Sequence, residues 1–479
     1  MEGNLSVERE KSFSSKREGQ TKAENSMRVS WREKLCYGVG DVGANLVWTT
    51  VASFLTIYCT DVAGMAAGVI GTIMLIARLF DGVSDLFMGV IVDKTNTRWG
   101  KARPWVLWSA PPLVLSLIAV FTIPNSFSSN SKAVYLLIVY IFLAAVCFTA
   151  SNLSYNTMLS FVTTEQYDRN VMNTVRFTFT MVAQLLINVA TIPLVNYLGG
   201  GQIAWTKMSI IYAVLAMITF SITFLGTKER YKPIKKVESK PKTPVIKTLK
   251  ILVKNKYFIL ITLAFAVIYT SLGLTGGSRI YFAKYVLGDE NINSFMTIVN
   301  YVPTILGIVL VPLITKVVGK IKALFGGFVL FAIGLVLMII NPVNLMLVYA
   351  GLVFQGLGQA ALYSCLFAIV GDVVDVIEWK TGVREEGLTY SVTSFGQKIG
   401  TGLGTAMLGW VLAFGQYDGL AQSQLPSALT AIKSLFIYFP MVLTILTLII
   451  FYLFLGLDKV YPKAIKELQE RRAKVEQNN

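Results

Sequence analysis

Residues 77–105 read ARLFDGVSDLFMGVIVDKTNTRWGKARPW, and this stretch decides the fold. It opens inside a long apolar segment and ends in a basic turn. Arg78, Asp81 and Asp85 fall at i, i+3 and i+7, so a helix stacks all three on one face. A charge at the centre of a bilayer costs about 2.5 kcal/mol or more, so this face cannot look at lipid. Two carboxylates one turn apart repel unless a cation lies between them. A bound Na⁺, a proton, Arg78 or a lysine from another helix would each meet that need. The turn that follows holds Asp93, Lys94, Arg98, Gly100, Lys101 and Arg103, the cationic density of a cytoplasmic loop between two spans. Asp93, Arg98, Gly100 and Lys101 read as a gating latch between helices, not as ligand contacts.

Working outward, the chain of 479 residues is 54% hydrophobic and only 15% charged, with mean hydropathy +0.60, which excludes a soluble protein of this length. It reads as an all-α integral membrane protein. The net charge of +16 gathers in loops between apolar runs, the distribution that membrane topology dictates, so no nucleic-acid partner is expected. Cys36, Cys59, Cys147 and Cys365 lie in or beside apolar segments without CxxC spacing, which indicates neither a disulfide nor a metal site. The absence of histidine excludes His-dependent triads and sends any proton relay through Asp, Glu, Lys or water. An enzyme is not expected.

Residues 1–34 are polar and basic, and predict a disordered cytoplasmic tail with no cleavable signal. Twelve segments then run long enough to cross a bilayer: 36–59, 66–92, 105–124, 133–161, 175–197, 204–226, 257–283, 294–317, 322–340, 343–371, 387–414 and 428–456. Inside lipid the backbone must satisfy itself, so these are helices. Lys and Arg concentrate in the even-numbered connections and in the tail 457–479, which places both termini in the cytoplasm. The basic, Pro-containing linker 227–256 separates six spans (35–226) from six more (257–456). PLITKVVGKIKAL (312–324) faintly echoes GVIVDKTNTRWGKAR (89–103). This is the layout of a two-half transporter with its site between the halves.

Polar stripes at helical spacing mark faces that could line a cavity. Tyr37, Asp41, Asn45 and Trp48 share one face of the first span and mix hydrogen-bonding groups with an aromatic plate, as sugar sites do. Thr149, Asn152, Tyr155 and Asn156 lie on the fourth span; Arg176, Gln184 and Asn188 on the fifth; Lys398 near the middle of the eleventh. Asn, Gln, Ser and Thr in membrane helices also serve as interhelical hydrogen bonds, whereas an intramembrane charge points to function by its cost.

The motifs YGVGDVGANL (37–46), ARLFDGVSD (77–85), RWGKARPW (98–105) and GDVVDVIEWKTGVREEGLTYSVTSFGQKIGTGLG (371–404) resemble those of the glycoside-pentoside-hexuronide:cation symporters, a melibiose permease-like branch of the major facilitator superfamily. The resemblance covers about residues 31–458. It implies twelve transmembrane helices in two six-helix bundles, and uptake of a sugar or glycoside with Na⁺ or H⁺ across a bacterial cytoplasmic membrane, with no cofactor beyond the coupling ion. It implies a cation site at Asp81, Ser84, Asp85 and Thr149, with Lys398 as charge partner. For the sugar it implies Asn45, Asn152 and Arg176, with Lys398 near; the residue pattern adds Asp41, Trp48 and Tyr155. Asn45 and Asn152 stand where melibiose permease has acidic residues, and Ser84 where it has an amide. With those acids gone while Arg176 and Lys398 remain, a hexuronide is admissible, though neutral β-glycosides or pentosides rank first. The alternative of another class is a non-transporting membrane sensor or scaffold on the same fold.

Overall fold

Helices form where apolar runs leave the backbone no partner but itself, and in the computed structural model the only β pairing among the described residues is one isolated bridge in the loop at Thr97 and Gly100. It describes residues 29–163, 165–230, 252–381, 386–421 and 423–477. The tail expected over 1–34 therefore lies outside the described residues up to 28, and most of the linker 227–256 does too.

Among the described residues, twelve long helices follow one another. They are α1 Trp31–Val62, α2 Ala67–Lys94, α3 Arg103–Val120, α4 Ser129–Val162, α5 Gln166–Tyr197 and α6 Gly201–Gly226. After the linker come α7 Lys256–Val286, α8 Ile292–Val318, α9 Lys320–Ile340, α10 Leu345–Thr381 and α11 Glu386–Phe414. The twelfth, α12, runs through Pro426–Lys433, a π turn Ser434–Tyr438 and Phe439–Phe454. Ten of the twelve are long and apolar enough to cross a membrane; the other two, α2 and α11, carry the charges of the central site.

The boundaries differ from the sequence expectation where a helix outlasts its apolar run. Helix α5 starts at Gln166 instead of 175, and α10 continues to Thr381 instead of 371. Hydropathy measures lipid contact, while helicity persists in polar turns beyond the lipid. Helix α1 begins at Trp31, inside the expected tail, because Ser30 caps it by accepting from the Glu33 N–H at 3.3 Å. The spacing of Ser30 and Glu33 is that of a capping box. The C-terminal segment forms a further helix, α13 Gly456–Gln477, which packs on α10, where Trp379 Nε1 donates to Glu467 at 2.6 Å.

Packing repeats between the halves. Helix α1 lies against α5 and α6, α2 against α4, and α3 against α6; α7 lies against α11 and α12, α8 against α10, and α9 against α12. Both α1 and α7 end in a π turn, Tyr58–Val62 and Phe282–Val286. The halves meet through α1–α7, α2–α11 and α5–α8. The α2–α11 crossing is close because Gly71 faces it: a Cβ there would stand 2.6 Å from the Ala406 carbonyl oxygen.

One end of the molecule is sealed. Where α1 and α7 finish, a single hydrophobic core runs from Val47 and Tyr58 across to Tyr281, Phe282 and Leu408; toward the basic loops the C-terminal half has a core of its own, around Phe258, Ile369 and Phe451. Among the described residues, hydrogen bonds between the halves occur at the sealed end and at mid-depth. They include Thr60 with Tyr281 at 2.8 Å, Ser294 with the Val189 carbonyl at 2.7 Å, and Tyr301 with Gln184 at 3.4 Å. A cleft between the halves thus widens toward the basic loops.

Candidate functional site

At mid-depth α2 presents the charged face read from the sequence, and α11 supplies its counterion. The Lys398 ammonium lies 2.5 Å from Asp85 Oδ2 and 3.2 Å from Asp81 Oδ2, and so bridges the two carboxylates. Arg78 adds a weaker contact to Asp81 at 3.4 Å. The two acids are not equivalent: the Asp81 side chain is 7% exposed, Asp85 36%. Asp81 is the anchored member, since Thr149 donates to its Oδ1 at 2.7 Å, and Asp85 the accessible one.

Helix α4 brings Thr149 here through a π segment, Phe142–Phe148, that ends directly before it. Such bulges shift the helical register and gather at functional sites. The Ser84 hydroxyl is 3.2 Å from that of Thr149 and donates to the Asp81 carbonyl at 2.9 Å. Asp81, Ser84, Asp85 and Thr149 are therefore brought together. Two carboxylates and two hydroxyls make an all-oxygen donor set, which suits a hard cation such as Na⁺, and either carboxylate can take a proton. No group of three or more His, Cys, Asp or Glu that could hold a metal ion occurs among the described residues.

A second polar group lies beside the first, on α1, α4 and α5. Arg176 is 3.3 Å from Asp41 Oδ2 and donates to Asn156, while Thr180 also donates to Asp41. Asn156 in turn donates to Asn152 at 2.5 Å. Asn45 accepts from Gln184 at 3.2 Å and from Thr49 at 3.1 Å, and donates to the Asp41 carbonyl at 2.8 Å. Through Gln184 and Tyr301 this chain of hydrogen bonds reaches the C-terminal half.

Three sequence-based expectations change at this point. Tyr155 is 1% exposed, stacks on Tyr37 with ring centroids 4.7 Å apart and donates to the Tyr37 carbonyl at 2.6 Å, so it fastens α4 to α1 and does not face the cleft. Trp48 is covered by the Arg78 guanidinium at 3.9 Å and by Phe148 at 4.6 Å, so it steadies Arg78 in place of offering a plate to a sugar. Asp41 is buried and committed to Arg176 and Thr180, so it holds Arg176 in position.

The loop after α2 is tied within its own half. Glu229, just past α6, accepts from the backbone N–H groups of Lys101, Ala102 and Arg103 at 2.7, 2.9 and 2.6 Å, at the positive end of α3. Gly100 has φ +119°, and a Cβ there would collide with the Glu229 carboxylate. Arg98 rests on the Trp99 ring, and Lys101 Nζ donates to the Asp93 carbonyl at 3.1 Å. Asp93 is exposed, and among the described residues its carboxylate has no partner. In the C-terminal half Gly319, also at positive φ, lies beside Asp458, just past α12, but the buried Asp458 Oδ2 has no hydrogen-bond partner among the described residues.

Two features escaped the sequence reading. Asp61, on the π turn that ends α1, accepts from Lys284 at 2.7 Å, from Tyr285 at 2.6 Å and from Tyr417 at 2.5 Å, and so latches the sealed end. Arg279 of α7 lies near Tyr301 and Tyr363, next to the bond that Tyr301 makes to Gln184 of the other half. Its position four residues before the expected end of the seventh span made it look like a loop cation.

Comparisons with known proteins agree with this architecture. A family model described as MFS/sugar transport protein matches residues 36–458. The chain is 32% identical over 451 residues to the isoprimeverose transporter of Lactiplantibacillus pentosus, covering 93% of this chain and 92% of that protein. It is 28% identical over 459 residues to a glucuronide carrier protein homolog of Escherichia coli, covering 94% and 98%. Among solved structures, the nucleoside transporter NupG superposes with TM-score 0.59 at 12% identity, covering 89% of this chain and 99% of that one. A bacterial homologue of human drug peptide transporters gives TM-score 0.64 at 10% identity, covering 91% and 100%. At such identities these structures speak for the fold alone. With twelve helices in two six-helix halves, a charged centre between them and a family match across the membrane part, this chain is a multi-pass membrane transporter that belongs to the MFS/sugar transport protein family.

Proposed function

We propose that the protein is a secondary active symporter that takes up a sugar or glycoside (a pentoside, β-glycoside or hexuronide) together with Na⁺ or H⁺. The observation that carries this reading is Lys398, a side chain of one half, seated between Asp81 and Asp85 of the other. An ammonium there does what a coupling cation would do. When Na⁺ or a proton reaches Asp85, Lys398 loses one of its two carboxylates and can turn toward a substrate in the adjoining cleft. At an effective dielectric near 20, a unit charge pair about 3 Å apart is worth roughly 5 kcal/mol before solvent screening. A third of Asp85 is open to solvent, which lowers that figure enough for exchange with a dissolved cation. By linkage, whatever the cation adds to sugar affinity the sugar returns to cation affinity.

With the basic loops and both termini cytoplasmic, the cleft opens inward, and the Asp61 latch lies at the outer face. Alternating access then consists of breaking that latch while the cytoplasmic ends of the halves come together around a mid-depth site. The names of relatives such as the isoprimeverose transporter and the glucuronide carrier homolog support the sugar class. The experiment is accumulation in proteoliposomes under imposed Na⁺ or H⁺ gradients with a panel of neutral and acidic glycosides. Concentrative uptake that collapses with the gradient is the expected result. No accumulation of any glycoside under either gradient would refute the reading in favour of a sensor or scaffold.

A further inference from the structure

The charges in and around the cleft do not balance. Three carboxylates, Asp41, Asp81 and Asp85, are met by Arg176, Arg78 and Lys398. At the outer end Asp61 and Lys284 cancel. Arg279 is left over. Among the described residues no carboxylate lies within ion-pair distance of it, and its hydrogen bond is from one terminal nitrogen to the Thr297 hydroxyl at 3.2 Å. Its Nε is buried with no acceptor.

A guanidinium has five N–H donors in a planar fork, and a buried donor without an acceptor is destabilising. Retaining one inside the helix bundle of a membrane protein points to an acceptor that arrives with the ligand. The location fits. Arg279 sits beside Tyr301, whose hydroxyl bonds Gln184 of the other half, so it adjoins the polar chain that runs on to Asn45. From the sequence, an acidic glycoside is admissible through Arg176 and Lys398, and neutral glycosides rank first because Lys398 has Asp81 or Asp85 to pair with. In the structure Arg176 and Lys398 are both paired, and Arg279 is not among the cations that reading weighed.

We propose that Arg279 is the anion-receiving residue of the substrate site, and that the transported glycoside carries one acidic group, a carboxylate or sulfonate, which Arg279 holds by paired N–H···O bonds. This rests on the sugar-symport reading above and names the substrate class within it. Carboxylate and guanidinium geometries match in a bidentate pair, and a lysine, as a point charge, reproduces only part of that match.

The test is calorimetric titration of the purified full-length protein with both candidate cations present. The ligands are methyl β-glucuronide, a methyl glucoside sulfonated at its primary carbon, methyl β-glucoside and methyl β-xyloside. At least one acidic ligand should bind about ten-fold tighter than its neutral counterpart, and which of the two does so identifies the acid. Arg279→Gln should weaken the acidic ligand by about ten- to hundred-fold, the size of a lost charge-assisted hydrogen bond, while leaving neutral affinities within about three-fold. Arg279→Lys should recover part of the loss. Retained neutral binding in Arg279→Gln also shows that the variant is folded. Tighter binding of the neutral ligands to the wild type, or an equal loss for both classes in Arg279→Gln, overturns the inference and leaves the symport reading standing. No binding of any glycoside overturns both.

Discussion

Replacing Asp61 by Asn keeps its shape and removes its charge, and so tests whether the latch holds the end of the protein that is sealed here. The Asp61 side chain is only 5% exposed, while that of Lys284 is 32% exposed. Removing one partner of a buried ion pair costs about 3–5 kcal/mol. The exposure of Lys284 places this pair below that range, at roughly 2–3 kcal/mol. The tyrosines compensate little, because Tyr285 and Tyr417 would then donate to a neutral amide, and hydrogen bonds to neutral groups are worth about half as much. A loss of this size shifts the ratio of sealed to open molecules by about thirty- to hundred-and-fifty-fold. Spin labels at Tyr197→Cys and Phe414→Cys, both 87% exposed and on opposite halves near this end, would report it in a background lacking the four native cysteines. The distance distribution should gain a longer component in Asp61→Asn, and Lys284→Met should reproduce it. An unchanged distribution in Asp61→Asn would refute the latch.

Two further predictions follow from the central site and the basic loop. Asp85→Asn should abolish gradient-driven accumulation while leaving facilitated exchange, whereas Asp41→Asn should weaken sugar binding and keep coupling, because Asp41 holds Arg176 and lies apart from the Lys398 bridge; comparing uptake with and without a gradient in both variants decides, and concentrative uptake by Asp85→Asn would remove it from the cation site. Glu229→Ala leaves three backbone N–H groups at the start of α3 without their acceptor and should lower stability in detergent by about 2–3 kcal/mol; an unaltered melting temperature would mean that water replaces the carboxylate without cost.

Much of the central site was legible because charge in a membrane span is expensive and therefore informative. Asp81, Asp85 and Lys398 are visible in the chain as costs that need a reason, and the structure brings both carboxylates within 3.2 Å of the Lys398 ammonium. Neutral groups gave weaker signals. Nothing in the residue types separates Asn152, which is half-buried and accepts from Asn156, from Tyr155 three positions on, which is buried against Tyr37. Trp48 looked like a sugar plate because its claim by Arg78 depends on how α1 and α2 lie side by side.

By itself the sequence determined the membrane class, the twelve helices, the division into two halves and the need for a cation beside Asp81 and Asp85, since each of these follows from local hydropathy or from charge at fixed helical spacing. Only the tertiary structure decided which carboxylate is sealed and which is open, which cations are already paired, and at which end the halves close. Those outcomes depend on contacts between residues far apart in the chain, such as Asp61 with Lys284 and Tyr417, and no local pattern encodes them. For the same reason Arg279 looked like the edge of a loop: its isolation inside the bundle is a property of what α8, α10 and the facing half do not offer it.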